Sequence, residues 1–131
     1  MKHIVLGVDG SHGSRVATAW CARFAHSEGA QVVAVHAVPW TVPAAERPAI
    51  EDALVRQWCQ PLVEEGVDTK TLVLDADPAA ALLTVADDCD ADLIVVGRRG
   101  TGGFEELLLG SVPSRLVLYA HRPLVIVPEE S

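Results

Sequence analysis

Short runs of β-branched and aliphatic residues alternate with longer segments of helical period along nearly the whole chain, and this alternation leaves few folds open. Residues 4–8, Ile-Val-Leu-Gly-Val, form the first run, which Asp9 and Gly10 end. Residues 31–38, 69–74, 92–96 and 124–127 repeat the pattern. A run that is apolar at successive positions predicts a strand buried on both faces, as in a parallel sheet.

The intervening segments read as helices. In residues 11–28, Val16, Ala19, Trp20, Arg23 and Phe24 recur at spacings of three and four. Ser11 or Ser14 caps the start and Gly29 the end. Residues 40–48 are proline-rich and read as a loop. Residues 49–65 carry Leu54, Trp58, Leu62 and Val63 on one stripe, with Pro61 as a kink and Gly66 as the stop. Asp77 caps a helix that Pro78 opens and that runs to about Cys89. A last helix spans 111–120. The order is βαβαβαβ, a long loop, then αβ. It predicts one α/β domain over residues 1–131: an open five-stranded parallel sheet, joined by right-handed crossovers, with helices on both faces.

Charge and cysteine content narrow the function classes. The net charge is −8, and Lys2 and Lys70 are the only lysines. Nucleic-acid affinity rests on phosphate contacts from a basic surface, so a DNA or RNA partner is not expected. A small phosphate ligand is still compatible, because backbone amides and helix N-termini bind anions locally. Cys21, Cys59 and Cys89 have neither redox-pair nor zinc spacing and read as buried reduced thiols, which suits a cytoplasmic location. The N-terminal apolar run is too short for a signal peptide, and no stretch is long enough for a membrane span.

Two strand ends stand out. The first strand ends in Asp9-Gly10-Ser11, and the fourth in Gly97-Arg98-Arg99-Gly100-Thr101-Gly102-Gly103. Ligands of open parallel sheets sit beyond the strands' carboxyl ends, where the winding reverses. If both loops build one site, strands 1 and 4 are neighbours, which favours the Rossmann-like sheet order 3-2-1-4-5. Glycine reaches positive φ and lets amides approach oxygen atoms closely. Gly110-Ser111 then opens a helix whose free amides also favour an anion. The usual phosphate-loop and dinucleotide motifs are both absent. On glycine content alone, the segment reads equally as a surface loop of turns.

The spacing Gly97-x-x-Gly100, nine residues, then Gly110-Ser111 is the pattern G-2x-G-9x-G-S/T of ATP-binding universal stress proteins. The chain also resembles that family at Ile4-Val5-Leu6-Gly7-Val8-Asp9-Gly10-Ser11, Val35-His36-Ala37-Val38, Asp77-Pro78-Ala79-Ala80-Ala81-Leu82-Leu83, and His121-Arg122-Pro123-Leu124-Val125-Ile126-Val127-Pro128. The resemblance covers nearly the whole chain and is weakest over 40–69. It implies a fold like that of the adenine nucleotide alpha hydrolases and a bound adenine nucleotide (ATP, ADP or AMP) with Mg or Mn.

Roles follow from the resemblance residue by residue. Asp9 would lie near the ribose or phosphates, with a route to the metal. The Ala37 backbone would read the base edge. Gly97, Gly100 and Gly103 would let the loop wrap ribose and phosphates. Gly110, Ser111 and Val112 would offer helix amides, and Ser111 a hydroxyl. Arg98 and Arg99 either meet a phosphate or are solvated loop charges. Pro113 departs from the family, which often has a small hydroxyl residue there, so one phosphate contact is lost unless Ser114 substitutes. The resemblance also implies a homodimer through Leu124–Val127 and a nucleotide-dependent regulatory role in the stress response. A slow ATP hydrolase or nucleotidyl transferase is the enzymatic alternative, although no poised general base or lysine lies near the loop. A dimerising member that binds no nucleotide is the other.

The remaining polar residues read as structural. His3, His12, His26, His36 and His121 lack metal-ligand spacing; His36 reads as a core histidine, and His12 lies nearest the supposed site. Ser11 lacks a His or Asp partner for nucleophilic chemistry. Asp87, Asp88, Asp90 and Asp92 read as a solvated helix end and loop. Trp20 and Trp58 read as core, whereas Trp40 either covers the base pocket or packs under its own loop.

Overall fold

A computed structural model of the chain describes residues 1–99 and 109–129. The strands are β1 (His3–Gly7), β2 (Gln31–Val38), β3 (Thr69–Asp75), β4 (Leu93–Gly97) and β5 (Leu124–Val127). The helices are α1 (His12–Glu28), α2 (Arg47–Ala53), α3 (Gln60–Glu64), α4 (Pro78–Asp88) and α5 (Ser111–Tyr119). The five strands form one parallel sheet in the order β3-β2-β1-β4-β5, with Val5 opposite both Val33 and Ile94. β1 and β4 are therefore adjacent, and the winding reverses between them, as the two unusual strand ends required.

Alternate residues of each strand enter cores on opposite sides of the sheet. Ile4, Leu6, Val32, Ala34, Leu93 and Val95 pack against α1 and against Leu54 and Leu62. Val5, Val33, Val35, Ile94 and Val96 pack against α4 and Leu116 of α5. Each fully buried Val, Leu or Ile contributes about 1.5–3 kcal/mol. The run of apolar residues in β1, β2 and β4 is thus what two covering layers demand.

Local signals set the helix ends. The Ser11 hydroxyl accepts the Ser14 amide at 3.2 Å, so Ser11 and not Ser14 caps α1. Gly29 closes α1 at φ 65°. Asp77 caps α4, accepting the Ala80 amide at 3.1 Å. The buried face of α1 differs from the expected stripe. It consists of Gly13, Ser14, Ala17, Thr18, Cys21, Ala22 and Ala25, while Val16, Trp20 and Phe24 flank it half-buried and Arg23 is exposed. Small side chains bring the helix close to the sheet, and the Trp20 and Phe24 rings stack at its margin with centroids 5.1 Å apart.

The region read as a loop followed by one kinked helix is built differently. A 3₁₀ turn occupies Ala44–Glu46, and α2 begins at Arg47 with Pro48 in its first turn. A π turn follows over Leu54–Trp58, in which the Cys59 amide reaches back to the Leu54 carbonyl at 3.0 Å. Cys59 breaks the helix at φ −95°, ψ 7°, and Pro61 sits in the first turn of α3. A proline cannot supply the amide that an uninterrupted helix would need there. The break leaves Leu54 and Leu62 buried but turns Val63 outward, 59% exposed. Arg47 holds α2 to the sheet through the Asp75 carboxylate and, at 2.9 Å, the Val73 carbonyl.

The aspartates at the end of α4 and in the loop after it are exposed, as a solvated helix end and loop requires, and three of them also hold local partners. Asp87 and Asp90 bind Arg122 at 3.3 and 3.1 Å. Asp92 accepts the amides of Lys2 and His3, which hold its carboxyl below the usual range. No helix among the described residues is long and apolar enough to cross a membrane.

Cys21 and Cys59 are buried free thiols, whereas Cys89, at the end of α4, is only partly buried. Burial pushes Cys21 up to about 12, with a smaller contribution from Cys59, and pushes Cys59 up to about 11. Unfolded thiols ionise near pH 8.5 while these two stay protonated in the native state. Their contribution to stability is therefore complete below that pH and declines as pH rises toward 11–12. In native protein at pH 8, a disulfide thiol reagent should modify Cys89 first and reach Cys21 and Cys59 only on unfolding. A fast phase that survives Cys89→Ser would contradict this.

Candidate functional site

A cleft of about 700 Å³ opens at the carboxyl edge of the sheet, over the junction of β1 and β4. Its walls bring together Asp9, Ala37, Gly97, Arg99, Gly110, Ser111 and Val112, seven residues expected at the site from the sequence. Gly100 and Gly103 lie outside the described residues. Arg98 does not line the cleft: its amide donates to the Val127 carbonyl at 2.9 Å and its carbonyl accepts the Gly110 amide at 2.8 Å. The Arg98 backbone thus ties β5 to the start of α5.

The turn from β1 to α1 is fixed by a closed set of hydrogen bonds. The Ser11 amide donates to Asp9 Oδ1 at 2.9 Å, and the Asp9 amide donates to the Ser14 hydroxyl at 3.1 Å. Asp9 therefore shapes the turn while also lining the cleft. Gly10 adopts φ 79°, and a Cβ there would lie 2.7 Å from the Trp58 indole.

Gly97 and Gly110 are not glycine for the reason their positions in a turn imply. The positive-φ glycines among the described residues are Gly10, Gly29 and Gly66. Gly97 is needed for close approach, since its Cβ would stand 2.7 Å from the Gly13 carbonyl oxygen. Gly13 in turn lies under the Arg99 carbonyl oxygen, where a Cβ would overlap it. The first turn of α1 and the exit of β4 interlock backbone against backbone.

The opposite wall is the start of α5. Gly110 is its N-cap at φ −69°, ψ 174°, and no side chain among the described residues caps the helix. A helix leaves its first amides without intrahelical partners. Here those of Ser111 and Val112 remain, and Pro113 has none to give. Because Pro113 occupies the first turn, it leaves the helix intact while removing one donor. Arg99 adds a cation whose Nε lies 3.5 Å from Glu129 Oε1.

The sequence reading missed the aromatic side of the cleft. His36, read as a core or near-core histidine, lines it, and so does Trp58, which also packs against the core as expected. His36 Nδ1 donates to the Val8 carbonyl at 2.7 Å, and the ring meets Trp58 edge-on at 5.0 Å between centroids. Trp58 shares a helical stripe with Leu54 and Leu62, so periodicity alone placed it inside. Pro61 signals a break in this stretch, but hydrophobic period does not show that the break leaves Trp58 at the cleft as well as on the core. Trp40 is 88% exposed and His12 is exposed; neither lines the cleft.

Asp9 is the only carboxylate among the described lining residues, which include no lysine. No group of three His, Cys, Asp or Glu that could hold a metal occurs among the described residues. The cleft therefore offers amides, one hydroxyl-bearing helix start, one arginine, one carboxylate and an aromatic wall. That set suits an amphipathic anion.

The family model for the universal stress protein family matches residues 1–128. The chain belongs to that family. It is 34% identical to a Thermus aquaticus universal stress protein, over 96% of this chain and 98% of the relative. It is also 35% identical to a universal stress protein of Mycobacterium tuberculosis, of which it spans only 45%. Among solved structures, a universal stress protein in complex with cAMP superposes with a TM-score of 0.81 at 27% identity, covering 98% of each chain. The universal stress protein UspA from Lactobacillus plantarum shares the fold with a TM-score of 0.83 at 22% identity, over 96% of this chain and 97% of that one.

The interlock of Gly13 with β4 makes a direct prediction. Gly13→Ala forces α1 away from the exit of β4, and overpacking of this kind costs about 1–3 kcal/mol. Urea denaturation should show a lowered midpoint; an unchanged midpoint would mean that the two segments are not tightly packed.

Proposed function

We propose that this universal stress protein binds an adenine nucleotide in the β1–β4 cleft and acts as a nucleotide-dependent regulatory module. The observation that carries the reading is the uncapped N-terminus of α5 facing Asp9 across one cleft. Anions gain about 0.3–1 kcal/mol from a helix N-terminus, and each charge-assisted hydrogen bond to an amide adds about 1.5–3 kcal/mol. The cAMP complex of a 27% identical relative supports an adenine nucleotide as the ligand class.

In this reading Gly110, Ser111 and Val112 hold the phosphates, Arg99 assists, and the base lies toward Ala37. Gly97 keeps the exit of β4 against α1, and Gly100 and Gly103 contact the ribose and phosphates. Mg or Mn arrives on the nucleotide, with Asp9 as its one carboxylate partner. The ligand acts by favouring one state of the loop between β4 and α5, so a partner that reads that loop responds to occupancy. The protein works in the cytoplasm as a homodimer paired through β5. β5 is an edge strand with Leu124, Val125 and Ile126 partly exposed, beside the exposed Val117, Leu118 and Tyr119. An apolar edge of this kind calls for a partner.

Calorimetry should detect binding of Mg-ATP. The φ and ψ of Gly110 are open to any residue, so Gly110→Val should leave the fold intact and weaken binding at least tenfold by filling the cleft wall. Unaltered affinity would remove the phosphate site from this helix start. Sedimentation at micromolar concentration should give a dimer that Val125→Asp converts to monomer; a wild-type monomer would contradict the β5 pairing.

A further inference from the structure

We propose that Trp58 is the wall against which the ligand's base packs, so that this chain selects a bicyclic purine over a smaller ring. The inference rests on the nucleotide reading above and assigns the discriminating contact within that site.

Three observations converge on the indole. It lines the cleft although it is set between Leu54 and Leu62, both fully buried. It is fixed from two sides: the His36 ring meets it edge-on at 5.0 Å, and Gly10 is packed so closely that a Cβ would lie 2.7 Å away. His36 is itself anchored, because its Nδ1 donates to the Val8 carbonyl at 2.7 Å. Finally, the ring is the last residue of a π turn, a feature frequent at functional sites. An aromatic side chain held rigidly at a cleft wall loses little rotamer freedom when a ligand packs on it.

The chemistry of the cleft assigns opposite ends to the two parts of a nucleotide. The α5 amides and Arg99 meet charge, whereas Val8, His36, Pro39 and Trp58 offer apolar and aromatic surface. Amides cannot distinguish one phosphate ester from another. A planar ring system can, because stacking grows with the area of the π-face. Purines therefore gain more at Trp58 than pyrimidines do.

The test uses the intact chain. The protein has three tryptophans, so Trp20→Phe with Trp40→Phe leaves Trp58 as the sole indole. Titration with ATP should quench its fluorescence, whereas inorganic tripolyphosphate should not. Calorimetry should show ATP bound more tightly than CTP. Trp58→Ala should weaken ATP by about tenfold or more and narrow the gap to CTP, with tripolyphosphate affinity unchanged. Trp58→Phe, which keeps a ring, should retain most of the affinity; it also guards against a misfolded alanine variant, which near-UV circular dichroism would reveal. If wild-type protein binds ATP but neither quenching nor the CTP gap depends on Trp58, this inference is overturned and the nucleotide site stands. If wild-type protein binds no ATP, the nucleotide reading fails and this inference fails with it.

Discussion

Everything at the carboxyl edge of the sheet depends on two stretches of backbone lying together without side chains between them. Gly13 in the first turn of α1 and Gly97 at the end of β4 each occupy the place where the other segment's carbonyl would collide with a Cβ. The contact brings the turn after β1 and the exit of β4 to the rims of one crevice. It also fixes how Asp9 is presented, because the same helical turn supplies the Ser11 amide and Ser14 hydroxyl that orient it. A side chain at either glycine would wedge the two strands' exits apart, and the cleft would lose a wall before it lost any ligand contact.

The sheet was legible because two independent requirements agreed. Apolar runs with no polar alternation demanded coverage on both faces, which only α/β layers provide in a chain of this length. The two unusual strand ends then demanded adjacency of strands 1 and 4, and the order β3-β2-β1-β4-β5 is the result. The caps were legible for a different reason. Asp77 followed by Pro78, Ser11 before α1 and Gly29 after it are local chemistry, and tertiary packing had no cause to override them.

What escaped the sequence reading was decided by packing distance rather than by pattern. The face of α1 that meets the sheet is its small-residue face, because alanine, serine and cysteine permit the close approach that Gly13 and Gly97 complete. A search for large apolar residues at helical spacing finds the flanks instead. The stretch from Ala44 to Glu64 failed likewise. Hydrophobic period treats a helix as continuous, whereas a π turn and Pro61 reset the phase, sending Val63 to solvent and Trp58 to the cleft. Freedom at positive φ explains Gly10, but Gly97 is required by proximity.

An acidic chain with a site for anions is not a contradiction, and the magnitudes show why. At physiological ionic strength a charge is screened over roughly 8 Å, so most of the net −8 acts weakly on a ligand already in the cleft. Amides at hydrogen-bonding distance act at full strength, and desolvation around them strengthens each bond. The absence of lysine from the described wall is therefore tolerable, and so is the donor lost at Pro113, so long as the Ser111 and Val112 amides stay uncapped. Amides, however, recognise charge and little else. If the cleft grips phosphate mainly with backbone, as proposed, its selectivity comes from its other end, where side chains replace main chain as the contacting surface. In this fold that end is built from the ends of β1 and β2 and from the broken helix between α2 and α3.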